Sequence, residues 1–83
     1  MDKDPRIFLK HILECIALLE QYTEGKIKDD FINSVELQDK IVRRLEIIGE
    51  AVRNLSVALK DAYPNIPWKQ IAGMRDKLIH EYF

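Results

Sequence analysis

The sequence contains little of what secreted, metal-binding or membrane proteins need. Its 83 residues include one cysteine, Cys15, which excludes an internal disulfide and provides no cysteine cluster for a metal. No stretch approaches the roughly 20 apolar residues that span a bilayer. Met1-Asp2-Lys3-Asp4 opens the chain without the basic and apolar segments of a secretory signal. The sequence therefore predicts a cytoplasmic protein with no membrane segment and no metal or other cofactor.

A strong charge of one sign is also absent. The net charge of −1 gives no global attraction for nucleic acid, which weighs against a constitutive, non-specific DNA or RNA binder but leaves room for a local basic cleft. Glycine and proline are scarce, and 47% hydrophobic with 33% charged residues is typical of a helical globular protein. The length allows a single small domain, residues 1–83.

Two long amphipathic patterns predict the first helices. The Asp4 side chain can cap a helix that has Pro5 at its first position, and Gly25 can stop it after about Thr23. Asn33 with Glu36 resembles the cap of a second, longer helix. Its apolar residues recur at helical spacing up to Tyr63-Pro64: Leu37, Ile41, Leu45, Ile48, Val52, Leu55 and Leu59. Such a helix either crosses the middle of a bundle or buries a flank against another chain.

The segment between these patterns, residues 26–32, is compatible with a single helical turn or with a loop. A last helix is predicted from about Pro67 onward, with an apolar inner side of Trp68, Ile71, Met74, Leu78 and Tyr82. Without any strand alternation, the sequence predicts an all-α fold, a small antiparallel helical bundle. Because the sequence stops on Tyr82-Phe83 inside an apolar helix, we expect a further C-terminal helix to be missing.

The last helix also carries the chemistry of interest. Arg75 falls inside the apolar stripe, where an unpaired arginine is rare. It can extend past the stripe into solvent, pair with Glu46 or Glu50 across the bundle, or clamp a phosphate. Asp76 lies four residues before His80, so its carboxylate can orient the imidazole and favour its protonated form, or the two can be an ordinary surface pair.

Helical geometry complicates a joint role for these residues. Arg75 and His80 lie about 140° apart around an ideal helix. Either the helix distorts, or the arginine reaches around, or a second copy completes the site, and we favour a homodimer with one shared cleft. Tyr82 lies almost above Arg75, though a lone tyrosine there is usually a packing residue. Trp68 is interpreted as a core residue rather than a base-stacking platform. The cluster of Lys69, Arg75 and Lys77 is either a phosphate patch or a solvated helix face.

Several segments together resemble the HepT-like branch of the HEPN superfamily. They are Tyr22-Thr23-Glu24-Gly25, Arg44-Leu45-Glu46-Ile47-Ile48-Gly49-Glu50-Ala51, Tyr63-Pro64 before Ile66-Pro67-Trp68, and the terminal R-x4-H-x-Y of Arg75, His80 and Tyr82. HepT proteins are ribonuclease toxins that are paired with a small nucleotidyltransferase antitoxin.

The resemblance implies a HEPN-like bundle and a metal-independent endoribonuclease toxin of a type VII-like pair, acting on tRNA or mRNA. It implies that His80 is the general acid or base while the RNA 2′-hydroxyl attacks, and that Arg75 stabilises the charge on the phosphoryl oxygens. Asp76 occupies a supporting position that is often Asn in HepT sequences. Tyr82 is the implied acceptor of AMP from an MntA-like nucleotidyltransferase.

Two other functions stay open. The chain can be a non-catalytic helical module that binds a nucleotidyltransferase partner and nucleotide or RNA, with Tyr82 presented to the partner. It can also be a structural helical dimer whose motif is inert. RNA cleavage without divalent metal would distinguish the ribonuclease toxin from both of these alternatives.

Overall fold

The computed structural model describes residues 4–82, and within that range it contains six helices and no strand. In chain order they are α1 (Pro5–Thr23), α2 (Lys28–Ile32), α3 (Val35–Arg53), α4 (Val57–Ala62), α5 (Trp68–Ala72) and α6 (Met74–Tyr82). The predicted all-α fold is thus confirmed. None of these helices is both long and apolar enough to cross a membrane.

The two ends of α1 lie where the sequence places them. The Asp4 carboxylate accepts a hydrogen bond of 2.9 Å from the Arg6 backbone N–H, and Pro5 is the first helical residue. Gly25 follows the helix at φ 70°, the left-handed region that only glycine adopts without a steric cost. Each signal acts through neighbouring residues, which is why the sequence predicts it correctly.

The start of α3 differs by one residue from the prediction. Ser34, not Asn33, is the N-cap: its backbone is extended, and its Oγ accepts a hydrogen bond of 3.1 Å from the Leu37 N–H. Asn33 instead ends α2, where its backbone N–H bonds to the Asp29 carbonyl at 3.0 Å. Because α2 is a genuine helix, Asn33 is used to close it and cannot also cap the next one.

The predicted long helix is broken, which corrects the sequence-based boundary. It ends at Arg53, and α4 begins at Val57, after three intervening residues. The Asn54 side-chain amide bonds back to the Glu50 carbonyl at 2.9 Å, and the Ser56 Oγ accepts from the Leu59 N–H at 3.0 Å. Asparagine and serine compete with the helical backbone in this way, and two of them so close together end one helix and cap the next.

The predicted last helix is also divided, at Gly73. The Gly73 N–H is shared between the carbonyls of Lys69 and Gln70, and its own carbonyl accepts the first bond of α6, from Lys77. The interruption changes which side chains of α6 face inward. Leu78 is half-buried as predicted, whereas Met74 is 42% exposed. The side chain of Tyr82 lies outside the described residues.

The central element is α3, because α1, α2, α5 and α6 all pack against it. The buried core joins Cys15 of α1 to Leu45, Ile48 and Val52 of α3, and side chains of α5 and α6 pack around it. The apolar flanks of α3 are therefore largely covered within one chain, so that α3 crosses the middle of the bundle. Exposed apolar surface lies on α1 instead, where Leu13 is 67% exposed.

Candidate active site on the last helix

The residues of the motif lie on α6, a helix of nine residues that packs its apolar side on α3. Arg75, Asp76 and His80 all have exposed side chains. The helix therefore presents a guanidinium, a carboxylate and an imidazole to solvent, where a substrate can reach them. The prediction that Arg75 lies inside the apolar stripe is wrong, because the interruption at Gly73 changes the rotation of α6 relative to α5.

Arg75 is held by two carboxylates. Its Nε lies 3.5 Å from Oε1 of Glu46 on α3, and its Nη1 donates a hydrogen bond of 3.0 Å to Oδ1 of Asp76. Of the alternatives that the sequence leaves open, the ion pair with Glu46 is the one that forms. The hydrogen bond to Asp76, followed by the charge of Glu46, raises the pKa of Arg75 above its ordinary value. The guanidinium is thus a permanent cation at this site.

Glu46 lies between two arginines. Its second oxygen, Oε2, is 3.9 Å from Nη1 of Arg43 on the previous turn of α3. The side chains of Glu46 and Arg75 are 40% and 44% exposed, so water screens their attraction and the pair is weak. A backbone phosphate of RNA carries one negative charge on two free oxygens, as a carboxylate does, and can therefore compete with Glu46 for Arg75.

Asp76 does not orient His80. Its carboxylate turns toward Arg75, and across the described side chains no ion pair or hydrogen bond joins Asp76 to His80. The predicted pairing along the helix is therefore not formed. The reason is that the adjacent guanidinium carries a permanent charge and several donors, which make it the stronger partner for a carboxylate. His80 is left exposed on the same helix.

The angle between Arg75 and His80 remains that of a regular helix. Both residues follow the interruption at Gly73, so this interruption cannot bring them closer together around the axis of α6. Five residues still separate them, which corresponds to about 140°. Helix distortion is thus removed from the three alternatives, and either the long arginine reaches around α6 or a second copy completes the site.

Tyr82 is the last described residue of α6, and its backbone is helical. Its side chain lies outside the described part, so its suggested place above Arg75 stays a prediction. Among the residues that the structure describes, no group of three or more His, Cys, Asp or Glu side chains could hold a metal ion.

Sequence reasoning missed Arg53, which fixes the junction of α5 and α6. Its Nη2 donates a hydrogen bond of 3.1 Å to the carbonyl of Ala72, directly before the interruption at Gly73. The helices also approach each other at Gly49, where an added Cβ would lie 3.0 Å from the same Ala72 carbonyl oxygen. The spacing of seven residues from Glu46 to Arg53 places both on one face of α3, and it is the signal that could have identified Arg53.

Comparison with known proteins gives a consistent assignment. The family model described as Ribonuclease HepT-like matches residues 12–83. A "Probable ribonuclease HepT" of Thermococcus cleftensis is 42% identical over 83 residues, which are 100% of this chain and 76% of that protein. A "Putative RNase" of Caldanaerobacter subterraneus subsp. tengcongensis is 52% identical over 82 residues, which are 98% of this chain and 72% of that protein.

A further relative has a composite name. A "Gamma-glutamylcyclotransferase and putative RNase" of Methanocaldococcus jannaschii is 54% identical over 83 residues, 100% of this chain but only 37% of that protein. The chain thus spans little more than a third of this relative. No solved structure matches the chain. The family match covers most of the sequence, including the helix that carries Arg75 and His80, and the chain therefore belongs to the HepT-like ribonuclease family.

Proposed function

We propose that the protein is a metal-independent endoribonuclease that cleaves tRNA or mRNA. The observation that carries the proposal is the placement of Arg75 and His80 on the exposed side of α6 in a member of a ribonuclease family. A permanent cation and an imidazole are the groups that RNA cleavage by its own 2′-hydroxyl needs, because one stabilises charge and the other transfers a proton.

In the proposed reaction the RNA 2′-oxygen attacks the adjacent phosphorus and loses its proton to the imidazole of His80. The bond between phosphorus and the 5′-oxygen breaks, and that oxygen takes up a proton, from an imidazolium or from water. The products are a 2′,3′-cyclic phosphate and a 5′-hydroxyl end. The guanidinium of Arg75 stabilises the charge that develops on the phosphoryl oxygens.

We further propose that the active unit is a homodimer with the two α6 helices near the two-fold axis. The angle of about 140° between Arg75 and His80 supports this arrangement, because an arginine of one copy can then act with a histidine of the other. The exposed apolar side chains of Leu13 and Ile16 on α1 supply surface that a second copy can cover. The apolar flanks of α3 offer less support than the sequence suggests, because they are largely buried within the chain.

We also propose that the protein is the toxin of a toxin–antitoxin pair. Its antitoxin is then a small MntA-like nucleotidyltransferase that attaches AMP to Tyr82. A negatively charged phosphate on α6 near Arg75 would compete with the RNA backbone for the guanidinium and would add steric bulk. Membership of the HepT-like family supports this proposal, together with the tyrosine two residues after His80.

A non-catalytic binding module is the second candidate, and one observation favours it. Arg75 is already paired with Glu46 and Asp76, and His80 has no carboxylate to orient it within the described residues. A site in this state can bind nucleotide or RNA, or present Tyr82 to a nucleotidyltransferase, without cleaving. The two candidates differ in one measurable property, cleavage by the purified protein.

The deciding experiment is digestion of a total tRNA pool in EDTA by the parent protein and by His80→Ala. Loss of a proton-transfer group typically lowers a rate by about 10²–10⁴-fold. We expect cleavage with 2′,3′-cyclic phosphate ends, strongly reduced in His80→Ala at unchanged helix content. Cleavage that EDTA abolishes, or that His80→Ala performs at the parent rate, would contradict the mechanism. No cleavage at all would favour the binding module.

A further inference from the structure

A second basic site lies beside the proposed active site, in a groove between the end of α3, α4 and the start of α5. The groove has a volume of about 620 Å³, and Arg53, Lys60, Lys69, Trp68 and Asp61 are among the residues that line it. Three cations thus face one carboxylate, in a protein whose net charge is −1. We call this surface the basic groove.

The lysines of the basic groove do not pair with any carboxylate of the described residues. In the described part of the chain, neither Lys60 nor Lys69 forms an ion pair, whereas Arg75 and Lys40 both do. Two ammonium groups on opposite walls of an open groove repel each other, and an anion between them removes that repulsion. The basic groove therefore has the electrostatics of an anion site.

Trp68 gives the basic groove an aromatic wall. Its Nε1 donates to the carbonyls of Lys60 and Tyr63, each at 3.1 Å, so the indole ring is fixed between α4 and α5. The ring is half-buried, and since its only donor is used, what it offers to a ligand is its apolar face. A fixed aromatic face beside cations is the combination that binds single-stranded nucleic acid, by stacking a base and pairing the backbone.

One face of α3 links the basic groove to the carboxylate that holds Arg75. Its Arg53 bonds to the carbonyl of Ala72, and the Nη1 of Arg53 lies beside Gly49 on the previous turn of α3. Glu46, which holds Arg75, is one turn further back on the same face. Seven residues of helix measure about 10 Å, so Arg53 and the partner of Arg75 lie two turns apart on one face of α3.

From this placement we infer that the basic groove binds the single-stranded RNA that flanks the cleaved phosphate. Backbone phosphates lie on Arg53, Lys60 and Lys69, and a base stacks on Trp68. This inference rests on the proposed RNA cleavage and adds the form of the substrate, since a duplex would hold its bases away from the indole.

The test uses Trp68 as a local reporter, because it is the only tryptophan of the chain. A 2′-O-methyl RNA oligonucleotide, which lacks the attacking hydroxyl, is titrated into the protein while Trp68 emission and the anisotropy of the labelled RNA are recorded. Three proteins are compared: the parent, Lys60→Ala/Lys69→Ala, and the control Lys10→Ala/Lys26→Ala. Both double variants remove the same charge from the surface, and circular dichroism checks that each is folded.

We expect RNA to change Trp68 emission and anisotropy over the same concentration range. The groove variant, Lys60→Ala/Lys69→Ala, should bind RNA more weakly than the control. Its slope of log affinity against log salt should be less steep by about 1.4, because each of the two lost phosphate contacts on a single strand contributes about 0.7. Three results overturn the inference: equal affinity of the two double variants, RNA binding without a change in Trp68 emission, or an equal response to AMP alone, which would indicate a mononucleotide site.

Failure of this inference is distinguishable from failure of the proposed function. If His80→Ala abolishes cleavage but the groove variant binds RNA like the control, only the groove assignment is wrong. If no cleavage is found while RNA binding depends on Lys60 and Lys69, the groove assignment stands and the catalytic proposal falls.

Discussion

The Nε of Arg75 lies 3.5 Å from Oε1 of Glu46, so the arginine of the proposed active site is tied to the central helix by a carboxylate. The pair has two opposing effects. It positions the guanidinium at the surface, and it places a negative charge where a phosphate has to bind. Replacement of Glu46 measures which effect is larger.

We expect Glu46→Gln to bind uncleavable RNA more tightly than the parent, by a factor on the order of a few. The gain is small because water screens the attraction between the two exposed side chains. Fluorescence anisotropy with labelled 2′-O-methyl RNA is the measurement. Glu36→Gln is the matched control, because it removes the same charge from an exposed pair with Lys40 at the start of α3. An equal gain in both variants would show an effect of net charge alone.

Gly49→Ala is expected to destabilise the protein by about 1–3 kcal/mol, the usual cost of extra volume at a packed contact. The new Cβ would lie 3.0 Å from the carbonyl oxygen of Ala72, a backbone atom that cannot move aside alone. The junction of α5 and α6 has to shift, and RNA affinity should fall with stability. Urea unfolding gives the free energy. Gly25→Ala tests the contrasting case, strain at positive φ with no atom near the added Cβ. A Gly49→Ala protein as stable as the parent would refute the close approach.

Ser34→Ala is expected to lower the free energy of unfolding by about 1 kcal/mol, the typical contribution of an N-cap side chain. The loss arises because the N–H of Leu37 is left without its acceptor. Asn33→Ala should cost less, since the Asn33 contact at the end of α2 is made by its backbone. Chemical unfolding of the two variants provides the comparison. A larger loss of unfolding free energy for Asn33→Ala would indicate that Asn33 is the N-cap, as the sequence suggests.

If the protein is a homodimer as proposed, sedimentation at micromolar concentration should show a species with the mass of two chains. Mixing Arg75→Ala with His80→Ala should restore part of the cleavage activity, because some heterodimers then carry one intact pair across the interface. Each variant alone is the control. Sedimentation of a monomer only would contradict the dimer, and a dimer without restored activity would contradict the shared site.

For Tyr82 the expected modification is a single AMP. Incubation with the proposed nucleotidyltransferase, ATP and magnesium should add the mass of AMP to a peptide that contains Tyr82, and cleavage should fall. Tyr82→Phe should stay unmodified and remain toxic in cells that make the partner. Tyr63→Phe is the matched control, because Tyr63 is an exposed tyrosine at the end of α4, away from the motif. AMP on another residue would show that the assignment is wrong.

The sequence by itself determined the helical class, the ends of α1 and the motif on the last helix. Asp4, Pro5 and Gly25 act on the backbone of adjacent residues, so their effect can be predicted without knowledge of the rest of the fold. The same reasoning could have predicted the break after Arg53 from Asn54 and Ser56, but the apolar periodicity that continues through Leu55 and Leu59 hides it.

Only the tertiary structure decided which groups meet at the site. Whether Arg75 lies buried, pairs with Glu46 or pairs with Glu50 depends on the rotation of α6 against α3, which the interruption at Gly73 sets. The meeting of Arg53, Lys60, Lys69 and Trp68 depends on the same packing. Residues far apart in sequence come together through the close contact of α3 with the α5–α6 junction, and no local pattern specifies that contact.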